Sequence, residues 1–260
     1  MEIKGRTAIV TGGASGLGEA TVRMFASEGG KVGILDLDER GGEGLASELG
    51  GNVVFFKTDV TSEEEVNKAI GGTIDRFGAL HFLVNCAGYG IGMRTITKEG
   101  PHDLAAFEKL VRLNLIGTFN VASKAAFEMS KNDPDEGETG AGERGVIINV
   151  SSAAAFEGQI GQTAYAASKA GVYGLTLPMA RDLSGVGIRV VAIAPGLFLT
   201  PFFTKYMDEE KIRKLGESVP FPKRMGAMPE FGRLVRDVIK NPYLNGETIR
   251  LDGAFRLPPK

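Results

Sequence analysis

The tightest constraint on this chain lies near its start. A short apolar run rich in β-branched residues, Thr7 to Val10, is followed by Thr11-Gly12-Gly13-Ala14-Ser15-Gly16-Leu17-Gly18, and then by Ala20, Val22, Met24 and Phe25. That order predicts a strand, a glycine-rich turn and a helix running to about Glu28. Glycines let the backbone approach a pyrophosphate, and the first turn of a helix offers unpaired N–H groups and a favourable dipole to an anion. Gly12, Gly16 and Gly18 follow G-x3-G-x-G, a variant of the dinucleotide-binding spacing.

The second strand, Lys31 to Leu35, ends in Asp36. A carboxylate there accepts hydrogen bonds from ribose hydroxyls and repels a 2′-phosphate. Neither Ala14 nor Leu37 supplies a compensating positive charge, so NAD(H) is expected over NADP(H). A third strand, Val53 to Lys57, delivers Asp59-Val60 and a helix from about Glu64 to Phe77, with Thr61 or Ser62 as its N-cap. Asp59 fits either a cap of that helix or a contact with an adenine amino group. Strand Leu80 to Val84 ends at Asn85-Cys86-Ala87-Gly88, small residues that let a loop lie along a cofactor. Cys86 has neither metal-ligand spacing nor a neighbouring base, and is read as cleft wall.

Residues 89–102 form a polar loop, and Leu104 to Phe127 carries helical periodicity with room for a break. Asn114, mid-helix among apolar neighbours, reads on its own as pinning a kink. Asn132 to Arg144 is acidic, glycine-rich and without an apolar anchor except Ala141, which predicts a mobile surface loop. Gly145 to Val150 is a buried strand that delivers Ser151 and Ser152, and a helix carrying Tyr165 to Met179 follows. Ile188 to Ile193 leads into Ala194-Pro195-Gly196, and Gly246 to Gly253 contains a last strand with its turn. Between them, Phe202 to Met228 is amphipathic and fits a lid or a peripheral helix pair.

Roughly seven strands alternating with helices, with no internal repeat, predict one α/β domain over residues 1–260 built on a doubly wound parallel sheet of the Rossmann kind, with helices on both faces. Its crevice lies at the carboxyl ends of the strands. Gly12, Asp36, Asp59, Asn85, Ser152 and Pro195 all fall just past those ends. A net charge of -2 gives no electrostatic case for nucleic acid or an anionic membrane, and no apolar run is long enough to cross a bilayer. One cysteine excludes an intramolecular disulfide and fits a reducing compartment. No metal site is read from the sequence. The first residues pass directly into a strand, so a cytoplasmic enzyme is expected.

Tyr165 and Lys169, at i and i+4, share one helix face. A fixed ammonium beside a phenol lowers its pKa, and a hydroxyl from Ser152 would hold a carbonyl oxygen beside it. The trio suits proton transfer to or from an alcohol or ketone oxygen, and the glycine turn implies the hydride carrier.

Thr11-Gly12-x3-Gly16-x-Gly18, Asn85-Cys86-Ala87-Gly88, Ser152, Tyr165-x3-Lys169 and Pro195-Gly196, in this order, resemble the short-chain dehydrogenase/reductase family over essentially the full length. Asn85-Cys86 departs from the family's usual Asn-Asn. The stretches Arg144 to Asn149, Ala154 to Gln159, Ile193 to Phe198 and Asn245 to Gly253 are similar to one group within it, the 3-hydroxyacyl-CoA dehydrogenases of type 2, also described as type-10 17β-hydroxysteroid dehydrogenases. The resemblance implies NAD as cofactor, a homotetramer, and 3-hydroxyacyl-CoA or a related secondary alcohol as substrate. It implies catalytic roles for Asn114, Ser152, Tyr165 and Lys169, with Ser152 and Tyr165 on the substrate and Asn114 supporting the lysine through a water. Ser152 is preferred to Ser151 because the family's serine stands thirteen residues before the tyrosine. The NAD contacts it implies are Ser15, Leu17, Asp36, Asp59, Val60, Cys86, Tyr165, Lys169, Phe198 and Thr200, beside Gly12, Gly16, Gly18, Ala87, Gly88, Pro195 and Gly196 of the motifs. Residues 198–228 are expected to form the substrate lid. The alternatives are a 3-oxoacyl-ACP reductase, a hydroxysteroid or sugar-alcohol dehydrogenase, and, more remotely, a non-catalytic NAD-binding protein. The chain's start gives no support to the mitochondrial address of the animal members.

Overall fold

The computed structural model describes residues 1–137, 140 and 142–259. Seven strands, β1 (Thr7–Thr11), β2 (Lys31–Asp36), β3 (Val53–Lys57), β4 (Phe82–Asn85), β5 (Gly145–Val150), β6 (Ile188–Pro195) and β7 (Thr248–Leu251), form one sheet in the order β3-β2-β1-β4-β5-β6-β7. All six pairings are parallel. Helices return the chain between strands: α1 (Gly16–Ser27), α2 (Glu39–Leu49), α3 (Glu63–Phe77), α4 (Leu104–Val111), α5 (Thr118–Met129) and α6 (Thr163–Ser184). Beyond β6 come α7 (Pro201–Tyr206), α8 (Glu209–Glu217) and α9 (Met228–Lys240).

Alternate residues along each central strand enter opposite cores, as the two-residue period of a strand requires. Ala8, Val10, Phe82, Val84, Val146 and Ile148 pack with Val22 and Phe25 of α1 and Phe231 and Val235 of α9. Ile9, Leu83 and Ile147 pack on the other face with Val66 and Ile70 of α3, Val121 and Ala125 of α5, and Met179 of α6. Each such large side chain stabilises the fold by about 1.5–3 kcal/mol on burial. The sheet is therefore held from both faces.

The expected strands form, within two residues at each end. Two helices are additions: α2 and α9 carry no expectation above. Glu230 marks the start of α9, its carboxylate accepting from Ala227 N at 2.7 Å. The expected break in the long helix is a π-helical turn, Arg112–Gly117, joining α4 to α5. Ser62, rather than Thr61, caps α3, accepting from Glu65 N at 3.3 Å.

The loop expected to be mobile is tied down at both shoulders. Asn132 Nδ2 donates to Leu80 O at 2.7 Å and to Arg144 O at 3.0 Å, and Asp135 pairs with Arg6 at 2.6 Å. Asp135 and Glu143 form an antiparallel bridge. Buried Glu143 binds buried Arg189, whose guanidinium also donates to Val238, Ile239 and Leu244 carbonyls around the end of α9. These partners are remote in sequence, so composition alone could not show them. Residues 138, 139 and Ala141 of that expectation lie outside the described residues. No helix among the described residues is long and apolar enough to cross a membrane.

Candidate active site

At the carboxyl end of β1 the chain turns through Gly12, at φ 62°. A Cβ there would stand 2.8 Å from the Ala87 backbone, so the loop after β4 lies against the turn because the residue is glycine. A Cβ on Gly18 would overlap the Gly12 carbonyl, which lets α1 begin close beneath the turn. Gly16 is also left-handed, at φ 56°. Ser15 stands at the N-cap of α1 in extended conformation but makes no side-chain cap bond. The N–H groups of that first turn are left for a ligand. Asp36 is oriented by two backbone donors, Ala14 N and Asp38 N, each at 3.0 Å. Asp59 accepts from Thr61 N at 2.8 Å and its helix is capped by Ser62, so the cap reading of Asp59 gives way to Ser62.

Beneath this cradle a buried polar row crosses three strands. Thr11 Oγ1 donates to Asn85 Oδ1 at 3.3 Å and accepts from Ala87 N at 3.1 Å. Asn85 Nδ2 donates to Asn149 Oδ1 at 3.0 Å and Thr118 O at 3.3 Å. The row follows from register, since Thr11, Asn85 and Asn149 are lateral neighbours.

β5 delivers Ser152, whose Oγ accepts from Ala154 N at 3.1 Å and which lines the same cavity as the Tyr165 phenol. Ser151 faces the other way and spends its hydroxyl on Lys169 O at 2.8 Å, inside the protein. The structure thus separates the two serines as the spacing did. Lys169 is buried, and its Nζ donates to Val150 O at 2.8 Å. Burial lowers its pKa to about 8, partly offset by Cys86. Burial first, opposed by the Ser152 hydroxyl, raises the Tyr165 phenol above its usual value. The expectation that Lys169 lowers the Tyr165 pKa is corrected: in the protein alone the phenol is instead shifted upward by desolvation, and the Lys169 ammonium is engaged with the Val150 carbonyl. The phenol is protonated at neutral pH. Cys86 is pushed up to about 12, chiefly by burial, so its thiol is inert, as a wall residue should be.

Asn114 is fully buried in the π-helical turn. Its Oδ1 accepts from Tyr89 N at 3.2 Å, and its Nδ2 donates to Tyr89 O and Ser168 Oγ, each at 3.0 Å. It sits at a distortion, as the kink reading held, and it also fastens the loop after β4 to α6. A Cβ on Gly88 would lie 2.7 Å from Asn114 Oδ1 and 3.3 Å from Lys169 Nζ, so both groups face one small region.

One cavity of about 830 Å³ joins these parts, a volume typical of a cofactor or ligand site. Its wall takes in the glycine turn (Gly12 and residues 15–18), the strand ends (Asp36, Asp59, Val60, residues 86–88, Pro195, Gly196), the corner at Phe198 and Thr200, and Ser152, Tyr165 and Lys169. Of the proposed site residues Asn114 alone stands behind the wall. α7 and α8 add Phe202, Phe203 and Leu215, and the turn between them adds Met207, so the segment after β6 lines the cavity rather than lying apart from it. Gln159, Gln162 and Leu257 also line it and were not anticipated. Leu257 is brought there by the C-terminal tail, where Ile160 N donates to Pro259 O at 3.0 Å and Gln159 Nε2 to Pro258 O at 3.1 Å. Nothing in the local sequence marks that return. Among the described residues no cluster of three His, Cys, Asp or Glu side chains is placed to hold a metal.

The glycine cradle, the unpaired helix start and the oriented Asp36 fit a dinucleotide, and the Tyr165 phenol stands in the same cavity. That combination defines an oxidoreductase of the doubly wound class, and the chain belongs to the short chain dehydrogenase family, whose sequence model matches residues 6–211. Among its relatives, human 3-hydroxyacyl-CoA dehydrogenase type-2 is 49% identical over 99% of this chain and 97% of its own length. The Drosophila melanogaster protein of that name is 48% identical over 99% of this chain and 100% of its own. The crystal structure of 3-hydroxyacyl-CoA dehydrogenase type-2 from Mycobacterium avium superimposes with a TM-score of 0.93 at 44% identity, covering both chains completely.

Proposed function

We propose that this oxidoreductase interconverts 3-hydroxyacyl-CoA and 3-oxoacyl-CoA, with NAD(H) as its cofactor. The observation that carries the reading is the single cavity in which Ser152 and Tyr165 meet the glycine cradle and Asp36 beside an apolar wall. Full-length likeness to three proteins named for this activity supports it.

The glycine turn and Asp36 would hold NAD, which would supply hydride-transfer chemistry in either direction. The chain's own residues handle the proton and the charge. Ser152 hydrogen-bonds the substrate oxygen and steadies charge as it develops there. Tyr165, protonated in the resting protein, gives its proton to that oxygen in reduction and recovers it in oxidation. Lys169, cationic at neutral pH, favours the phenolate once its ammonium is turned from Val150 O towards the site. Asp36 receives the adenosine ribose and disfavours a 2′-phosphate, which supports NAD rather than NADP. Residues 198–228 act as the lid over the acyl group, and the exposed apolar side chains Phe119 and Phe127 on α5 and Tyr173 and Leu177 on α6 support assembly as a homotetramer.

Initial rates on acetoacetyl-CoA, longer 3-oxoacyl-CoAs and a ketosteroid, each with NADH and with NADPH, test the reading. Acetoacetyl-CoA or a longer homologue should be the best substrate, with NADH preferred. Tyr165→Phe should lose turnover by roughly a thousandfold while binding NADH nearly as well. Preference for NADPH, or turnover confined to the ketosteroid, would overturn it.

A further inference from the structure

Ser168 lies between Tyr165 and Lys169 on α6 and is fully buried. Its hydroxyl donates to Tyr165 O at 2.8 Å. A backbone carbonyl only accepts, so the hydroxyl proton is committed there, and the oxygen is left to accept from Asn114 Nδ2 at 3.0 Å. The other Nδ2 hydrogen goes to Tyr89 O, and Asn114 Oδ1 accepts from Tyr89 N. Both donors of the amide are thereby used, one on the helix and one on the loop.

The loop then returns to the same tyrosine. Gly90 rests against the Tyr165 ring so closely that a Cβ on it would stand 3.1 Å from Cδ2. A closed circuit results: Tyr165 carbonyl, Ser168, Asn114, Tyr89, Gly90, Tyr165 ring. Helix backbone and ring are each held, from opposite ends of one chain of contacts.

We infer that Ser168 is a positioning residue, the clasp that closes this circuit and holds the Tyr165 ring and the 89–92 loop in reacting alignment. Removing the hydroxyl leaves Asn114 with a buried unpaired N–H and breaks the link that runs from Tyr89 through Asn114 to α6. Cofactor contacts at the glycine turn and Asp36 lie outside the circuit. The loss therefore falls on turnover rather than on NADH binding. The inference rests on the family's tyrosine chemistry and not on which ketone is reduced, so it is tested with whichever ketone the wild-type protein turns over best.

Ser168→Ala should lower kcat roughly ten- to a hundredfold, the scale of a misaligned reacting group. The NADH dissociation constant, read from NADH fluorescence, should stay within about twofold. In the Asn114→Ala background the same change should cost little more, because the circuit is already open. Wild-type kcat in Ser168→Ala, a loss that adds in full to that of Asn114→Ala, or NADH binding weakened as much as kcat would each overturn the inference. Should Ser168→Ala fail to fold, Ser168→Cys, which keeps a weak acceptor at the position, is read by the same criteria and should lose less.

Discussion

At the scale of single residues, the glycines of the turn and the buried polar groups set the site. Gly18 is the sharpest case, because any side chain there meets the carbonyl of Gly12. Gly18→Ala should destabilise the protein by about 2–4 kcal/mol through overpacking against rigid backbone. NADH binding should weaken with it, by fluorescence titration, and a variant of unchanged Tm and affinity would show that the turn is softer than its contacts imply. The acid–base residues teach a different lesson. The i, i+4 spacing placed Tyr165 and Lys169 together, yet the direction of the Tyr165 shift reverses, because desolvation depends on what surrounds the ring. Ser151 and Ser152 are neighbours with opposite fates for a local reason: successive residues past a strand point to opposite sides.

At the scale of elements, the sheet's registers determine which polar groups meet. His81, just before β4, is partly buried, and its Nδ1 accepts from Thr7 N of β1 at 3.3 Å. Its pKa is lowered from 6.5 to about 4, first by burial and then by Arg6. The unfolded chain takes up this proton more readily than the folded one. Its contribution to stability is complete above about pH 6.5 and is lost as the pH falls towards about 4. Urea unfolding at pH 7 and pH 4.5 should show that loss, roughly 1–3 kcal/mol after allowing for solvent screening. His81→Asn, which keeps an acceptor that does not titrate, should flatten it. Equal acid sensitivity in that variant would place the proton uptake elsewhere. The π-helical turn at Arg112–Gly117 belongs to this scale as well, since it carries Asn114 to the loop and to α6 at once.

At the scale of the whole molecule, the cavity is closed by segments distant from the motifs. The C-terminal tail contributes Leu257, steadied by its bonds to residues 159 and 160 and by Arg250, which pairs with Glu157 and Asp252 and lies over the Phe156 ring. α7 and α8 line the remaining side. Leu257→Ala should shift the ratio of kcat/KM values towards longer 3-oxoacyl-CoAs by roughly threefold to tenfold, since pocket methylenes discriminate on that scale. An unchanged ratio would place the acyl chain away from the tail.

The chain's amino acids by themselves determined the sheet, the glycine cradle, Asp36 and the Ser152, Tyr165 and Lys169 trio. Each of these is written in short-range spacing, either a two-residue strand period, a glycine where a turn needs one, or four residues along a helix. Tertiary structure alone decided what Asn114 and Ser168 hold, that the shoulders of the 132–144 loop are anchored through Arg6 and Arg189, that Leu257 reaches the cavity, and that Tyr165 rests protonated. Those properties come from partners tens of residues away and from the exclusion of water. No local pattern encodes either one.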